Sequence, residues 1–289
     1  MQQLALIEHL VDRLKYVDGL KAIVLGGSYA SGAQKPDSDI DIAIYYKEDQ
    51  PLDIGHIRTI ASKLNDMPNP VVTDLGGWGP WVNGGAWLTI QGQRVDFLYR
   101  NVDRVSQVLD ACNNGEFETD YLQQPPYGFY SYIYCAETQV CKSLYDPDGL
   151  LQMLKAKVSH YPNTLKQAIF KHNLWSAGFS LENAKKPAGR GDIYFTAGCV
   201  TRAVSMLVQV LYALNETYFL SEKGLSKDTS GFKIQPDNFL ARIDAILSNI
   251  GHSPSELKKR VLATETLREE LLELSGRTKL DNHQANGPT

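Results

Sequence analysis

Two acids separated by one residue, Asp39 and Asp41, follow a glycine-serine loop, Gly26-Gly27-Ser28, and the two features together define a chemistry. The acids sit in the run Asp39-Ile40-Asp41-Ile42-Ala43-Ile44, whose alternation is that of a half-buried strand. Both carboxylates therefore project from one face, with their Cα atoms about 7 Å apart. Held side by side they repel, so without a cation between them one must take up a proton or the strand must lose stability. A hard divalent ion with oxygen ligands, Mg²⁺ above all, resolves the conflict. Upstream, the apolar run Ala22-Ile23-Val24-Leu25 predicts a buried strand that breaks into the glycines, where a bare backbone admits close approach of a ligand. Tyr29, Ala30 and Ser31 then open a short helix ended by Gly32, and its unpaired first N–H groups favour anionic oxygens such as those of phosphate. A turn at Lys35, Pro36 and Asp37 leads to the acids. Asp96 is the only acid in a later strand-like run, residues 91–99. If that strand lies beside the first, three carboxylates can hold two ions roughly 3.5–4 Å apart, the arrangement used for in-line displacement at phosphorus.

Gly27 and Ser28, then Ser38-Asp39-Ile40-Asp41-Ile42, then an isolated Asp in a later strand resemble the nucleotidyltransferase superfamily typified by DNA polymerase beta and by antibiotic nucleotidyltransferases such as the kanamycin enzymes. The resemblance implies that Gly27 and Ser28 bind the phosphates of a nucleoside triphosphate, that Asp39 and Asp41 bind magnesium, and that Asp96 binds metal or acts as general base. It also implies an α+β fold, a small mixed sheet flanked by helices followed by an all-helical bundle. The reaction implied is magnesium-dependent transfer of a nucleoside monophosphate from ATP or GTP to a hydroxyl of a small acceptor, aminoglycoside-type or another polar metabolite, with release of pyrophosphate. Transfer to a protein side chain or an RNA end is a second reading, and a non-catalytic nucleotide sensor a third, against which three acids argue. A glycine turn followed by a strand with solvent-facing acids is the bland reading, and it gives no reason for both halves to occur in this order. Asp37 alternates with the pair but follows Pro36, where the family has a loop, and is set aside.

The elements that must position these residues are legible as patterns. Leu4, Ile7, Leu10, Val11 and Leu14 give residues 2–16 a helical stripe, and Ile54, Ile57, Ile60, Ala61 and Leu64 give a second. Residues 71–75 read as a strand. Residues 76–87 then hold Trp78, Trp81 and Trp87 among five glycines. They form either a loop with aromatic faces open to a base or acceptor, or a hairpin whose tryptophans cap the core, with Trp87 expected in the core. A helix follows at 101–112, then an aromatic, proline-broken run at 121–134 read as interface packing, then an edge strand at 140–144. Asp146-Pro147-Asp148-Gly149 is a turn, and it sets the expected boundary between a catalytic domain, residues 1–146, and a bundle, residues 147–275, with a frayed tail at 276–289.

Beyond it the pattern is helical, at 150–160, 164–185, 192–215, 236–250 and 255–275. The stretch 211–225 is similar to the bundle helix that faces the cleft in kanamycin-type relatives. That likeness makes Lys223 a candidate for neutralising the triphosphate, with Lys227 second; a lysine complementing a helix end is the equal alternative. Arg190 and Asp192 mark either a loop over the cleft or an ordinary interhelical turn. With 29 Lys and Arg against 33 Asp and Glu, the net charge of −4 weighs against nucleic acid as a partner. The four cysteines lack zinc spacing and read as reduced packing thiols. No apolar run is expected to span a bilayer, which makes a cytoplasmic protein the expectation. Oligomeric state leaves no trace in the pattern.

Overall fold

The computed structural model describes residues 2–35 and 37–285; Pro36, in the expected turn, and residues 286–289 lie outside them. The chain divides into two compact units, one running to Asn113 and resuming over Phe117–His160, the other made of Asn114–Glu116 and the chain from Tyr161 onward.

The first unit is a mixed six-stranded sheet flanked by helices. In chain order it holds α1 (Gln2–Leu14), β1 (Leu20–Leu25), α2 (Gly27–Ser31), β2 (Ile40–Tyr46), α3 (Ile54–Leu64), β3 (Val71–Val72), β4 (Gly85–Ile90), β5 (Gln93–Asn101) and α4 (Val102–Asn113). A small two-stranded sheet, β6 (Thr119–Asp120) with β7 (Phe129–Tyr130), precedes α5 (Ile133–Val140), β8 (Lys142–Tyr145) and α6 (Leu150–Lys157). The strand order is β3-β4-β5-β2-β1-β8, with β2 parallel to β5 and the other neighbours antiparallel. The apolar stripe predicted for α3 is used and that of α1 in part, since Leu4 is exposed and Leu6 takes its place: Leu6, Ile7, Leu10, Leu14, Ile57, Ile60 and Ala61 form one core with Ile40, Ile42, Val95, Phe97 and Leu88 of the sheet. Because strand side chains alternate, the other face of those strands carries the acids.

Several local expectations are corrected. Gln91 and Gly92, read as the start of a strand, are a two-residue hairpin turn between Ile90 and Gln93; both have positive φ, 54° and 76°, which suits the twist of the flanking strands. Strand β4 was hidden in the tryptophan-glycine run, and strand 71–75 shortens to β3, the ladder ending where Gly85 N–H donates to the Thr73 hydroxyl at 2.9 Å in place of its carbonyl. In the aromatic run Phe129, Tyr130, Tyr132 and Tyr134 are buried, Phe129 and Tyr134 against Trp81 of the same unit. Burial pushes the Tyr134 phenol up to about 12, so it stays protonated and donates to Trp81 O. Helix α6, beyond the expected boundary at 146, sits in the first unit.

The second unit holds α7 (Asn163–Arg190), α8 (Ile193–Leu214), a 3₁₀ turn (Glu222–Gly224), α9 (Leu225–Thr229), α10 (Phe239–Leu247) and α11 (Pro254–Ala285). Gly191 in the left-handed conformation ends α7 and Asp192 caps α8 by accepting from Phe195 N–H, so Arg190 and Asp192 belong to an ordinary interhelical turn. Helix α11 continues through residues 276–285, where the polar composition suggests fraying. Contrary to the expectation from hydropathy, α8 is long and apolar enough to cross a bilayer, but 72% of its apolar window is buried inside the protein, as in a core helix. Cys112, Cys135 and Cys141 are free and buried, in keeping with packing thiols.

A buried ion pair ties the first unit together. Arg100, at the end of β5 and 3% exposed, makes a bidentate pair with Glu137 of α5 at 3.0 and 2.9 Å and donates to Val82 O and Tyr99 O. Burial opposes its charge, but Glu137 outweighs that and holds the guanidinium protonated. Glu137→Gln leaves the guanidinium buried without its counter-charge and is expected to cost about 2–3 kcal/mol, since Glu137 is partly solvated. A urea midpoint within error of the parent would contradict this, and the double variant Arg100→Met/Glu137→Leu is expected to recover most of the loss.

Candidate active site

The glycine loop and the acids are brought together by two adjoining ladders. Gly26 N–H donates to Asp41 O at 2.8 Å, extending the β1–β2 pairing one residue beyond Leu25 and Ile42. Gly27, first residue of α2, has a φ of +55°, and a Cβ built on it lies 1.7 Å from Asp41 Oδ2. A side chain at Gly27 is thus excluded twice, by backbone conformation and by the carboxylate against its Cα. Ser28 follows in the helix, and Gly32 closes it in the left-handed conformation.

Along the other edge of β2, the parallel register sets Asp41 opposite Asp96 of β5. Paired residues share a face, so these carboxylates are lateral neighbours with Cα atoms about 5 Å apart. Asp39 lies just ahead of β2 and is engaged differently. Arg94 Nε stands 2.6 Å from Asp39 Oδ1. The approach is off line: by distance the two form an ion pair, yet Oδ1 is a buried oxygen without a hydrogen bond. With the two side chains 64% and 32% exposed, the pair contributes less than about 1 kcal/mol. Arg94 Nη2 also donates to Asp37 O and Gln93 Nε2 to Ser38 O, pinning the loop before the acids to β5.

Among the described residues no three His, Cys, Asp or Glu side chains form a metal cluster, because Asp39 turns to Arg94 while Asp41 and Asp96 adjoin. The donor set nevertheless fits a hard divalent ion. It consists of carboxylate oxygens, one of them, Asp39 Oδ1, buried and unsatisfied, and the bare Cα of Gly27 lets the Asp41 carboxylate lie directly against the glycine loop.

Of the residues singled out from sequence, Gly27, Ser28, Asp39, Asp41 and Asp96 lie in the first unit, and Lys223 lies in the second, on the turn Glu222–Gly224. Trp87 is corrected: it is 56% exposed and stacks on Trp78 at 4.7 Å, whereas Trp81 is 3% exposed, stacked on Phe129 and covered by Arg104 at 4.2 Å. The strand pattern accounts for this, since Trp87 alternates with buried Ala86 and Leu88. Two residues escaped sequence reasoning. Arg94 alternates with Asp96, and that spacing was available as a signal. Lys142 donates to Tyr29 O at 3.4 Å from 113 residues away, a tether with no local trace.

This geometry accords with a known domain. Residues 6–102 match the nucleotidyltransferase domain family. All of the first-unit site residues fall inside that span. Residues 134–223 match a domain of unknown function, DUF4037. Among solved structures, a nucleotidyltransferase-like protein from Exiguobacterium sibiricum 255-15 is similar with a TM-score of 0.48 and 9% identity, over 98% of this chain and 81% of that one. No curated protein matches. The nucleotidyltransferase domain match supports nucleotidyl transfer as the class of chemistry.

Two glycines of the domain separate conformation from contact. Gly27 and Gly32 both have positive φ, 55° and 68°, but a Cβ on Gly32 meets nothing within 4 Å. Gly32→Ala is expected to cost about 1–2 kcal/mol, and Gly27→Ala more, because Asp41 must also move. Denaturant titration of both checks it; equal losses would show that the Asp41 contact is immaterial.

Proposed function

We propose that this chain transfers a nucleoside monophosphate from a nucleoside triphosphate, ATP or GTP, to a hydroxyl of a small polar acceptor, releasing pyrophosphate, with magnesium as the metal. The observation that carries the reading is the pairing of Asp41 with Asp96 across parallel strands, immediately beside a glycine whose bare Cα lies against the Asp41 carboxylate. The nucleotidyltransferase domain match supports the class of reaction.

Asp39, Asp41 and Asp96 are the residues that would hold the ions. Bound magnesium supplies neutralisation of the charge building on the leaving pyrophosphate and lowers the pKa of the incoming hydroxyl. The Gly27 N–H and Ser28 bind the outer phosphates and keep the triphosphate extended for in-line attack. Asp96 orients the acceptor hydroxyl and takes its proton at a carboxylate oxygen. The new oxygen–phosphorus bond forms as the bond from the α-phosphorus to the bridging oxygen breaks, and pyrophosphate carries away the electron pair. Lys223 remains the candidate of the second unit for balancing triphosphate charge. The net charge of −4 favours a small acceptor over nucleic acid, and the cytoplasm is the proposed location.

Asp39→Asn and Asp41→Asn are each expected to lower pyrophosphate release from ATP or GTP with Mg²⁺ by roughly a hundredfold or more, with far-UV circular dichroism unchanged. Turnover near the parent level in either variant contradicts the metal assignment. Chelation of Mg²⁺ is expected to stop release in the parent as well.

A further inference from the structure

The outer side of α7, in the second unit, carries a pattern that the site of the first unit does not use. Lys171, Trp175, Phe179, Lys186 and Arg190 recur at helical spacing, fall within about 100° of the helix circumference and are all exposed. On the other sides of the same turns Leu174, Ala177, Leu181, Ala184 and Ala188 are buried. The exposed stripe runs about 28 Å from Lys171 to Arg190.

Rings and charges alternate along it. Trp175 is 65% and Phe179 56% exposed, and their rings stack at 5.2 Å with planes 9° apart, so two large apolar groups are held together facing water. Past Arg190 the turn at Gly191 and Asp192 leads to Ile193, Tyr194 and Phe195, the first turn of α8, all exposed and Tyr194 by 92%. Residues 171–190 hold Lys171, Lys185, Lys186 and Arg190 against a single acid, Glu182, in a chain whose net charge is −4. Glu182 is taken up by Lys185 at 2.6 Å, and Lys185 also reaches Glu265 of α11 at 3.0 Å. Lys171, Lys186 and Arg190 make no ion pair among the described residues, so the cations at both ends of the ring pair lack a counter-charge in the protein.

We propose that this stripe docks the protein lengthwise on an anionic bilayer surface, with the Trp175 and Phe179 rings in the headgroup layer and Lys171, Lys186 and Arg190 on lipid phosphates. Aromatic rings bordered by basic residues on one face of a helix are the composition of a helix lying in a membrane interface. The long basic side chains rest their stems along the apolar surface and carry their charges to the anionic plane. Because α7 packs on α8 and α11 along its other sides, it meets the bilayer along its surface and does not cross it. A nucleic acid fits the same charges less well. The stripe is a convex ridge with no groove to follow a phosphate backbone, and the rings, already stacked on each other, leave no gap for a base. A plane of phosphates reaches all five side chains at once. The inference is independent of the transfer reaction proposed above.

Cosedimentation of the full chain with sucrose-loaded vesicles, of phosphatidylcholine alone or mixed with phosphatidylglycerol, tests the docking, with single-stranded RNA as a competitor. The parent is expected to sediment with the mixed vesicles, to stay in solution with phosphatidylcholine alone, and to be released by salt. Lys186→Glu/Arg190→Glu is expected to lower the affinity roughly tenfold or more. Lys47→Glu/Lys63→Glu, the same change in net charge on exposed lysines of the first unit, is expected to leave it near that of the parent. Lipids brominated on their acyl chains are expected to quench the tryptophan fluorescence of the bound parent, and Trp175→Phe, which keeps a ring in place, to bind like the parent with most of that quenching gone. No sedimentation with the mixed vesicles, an equal loss in the two charge-reversed variants, or quenching unchanged in Trp175→Phe overturns the docking. Displacement of the vesicles by RNA at matched phosphate concentration also overturns it, in favour of nucleic acid.

Discussion

Two like charges forced together by backbone pairing are the constraint on which the first unit turns. The parallel register of β2 and β5 leaves Asp41 and Asp96 no choice of neighbour. At about 5 Å and an effective dielectric near 20, such a pair repels by on the order of 3 kcal/mol before any compensating contact. The same strand is locked on its opposite face by Ile40, Ile42 and Ile44 in the core with α1 and α3 packed over them, so it cannot slip to relieve the repulsion without turning that core outward. The sheet therefore keeps the two carboxylates adjacent, as the cation of the proposed reaction requires.

The glycine loop is the other half of the same constraint. In the proposed reaction it must come close enough to Asp41 for a phosphate and a carboxylate to share one cation, and Gly27 allows that approach because it carries no Cβ. Arg94 answers the charge differently. It lies against Asp39 at 2.6 Å with poor direction, in a partly solvated pair, and such a contact yields readily to a better-placed cation.

What could be read from sequence follows from how local each signal is. The alternation of Asp41 with the isoleucines, the break at Gly26, the stripe of α3 and most of that of α1 are written within a few residues and appear as expected. That Asp96 would lie beside Asp41 required a guess about which strands pair, which no short window contains. The tryptophans show the limit most plainly. Trp81 is buried because Phe129, Tyr134 and Arg104 come to it from far along the chain, while Trp87 is exposed because β4 alternates against β5. Neither fact is visible in a run of glycines and tryptophans, and the hairpin at Gln91 and Gly92 that creates β4 lacks the asparagine or aspartate that usually announces such a turn. Helix α5 was missed for a related reason: its N-cap is Tyr132, which offers no side-chain cap bond, and its first two residues belong to the run read as aromatic packing.

Thermal unfolding of the parent and of Asp41→Asn, each in EDTA and in Mg²⁺, tests most directly whether Asp41 and Asp96 share one cation. Mg²⁺ should raise the midpoint of the parent and leave that of the variant nearly in place. Midpoints indifferent to Mg²⁺ in both proteins, or a variant raised as far as the parent, would contradict the account.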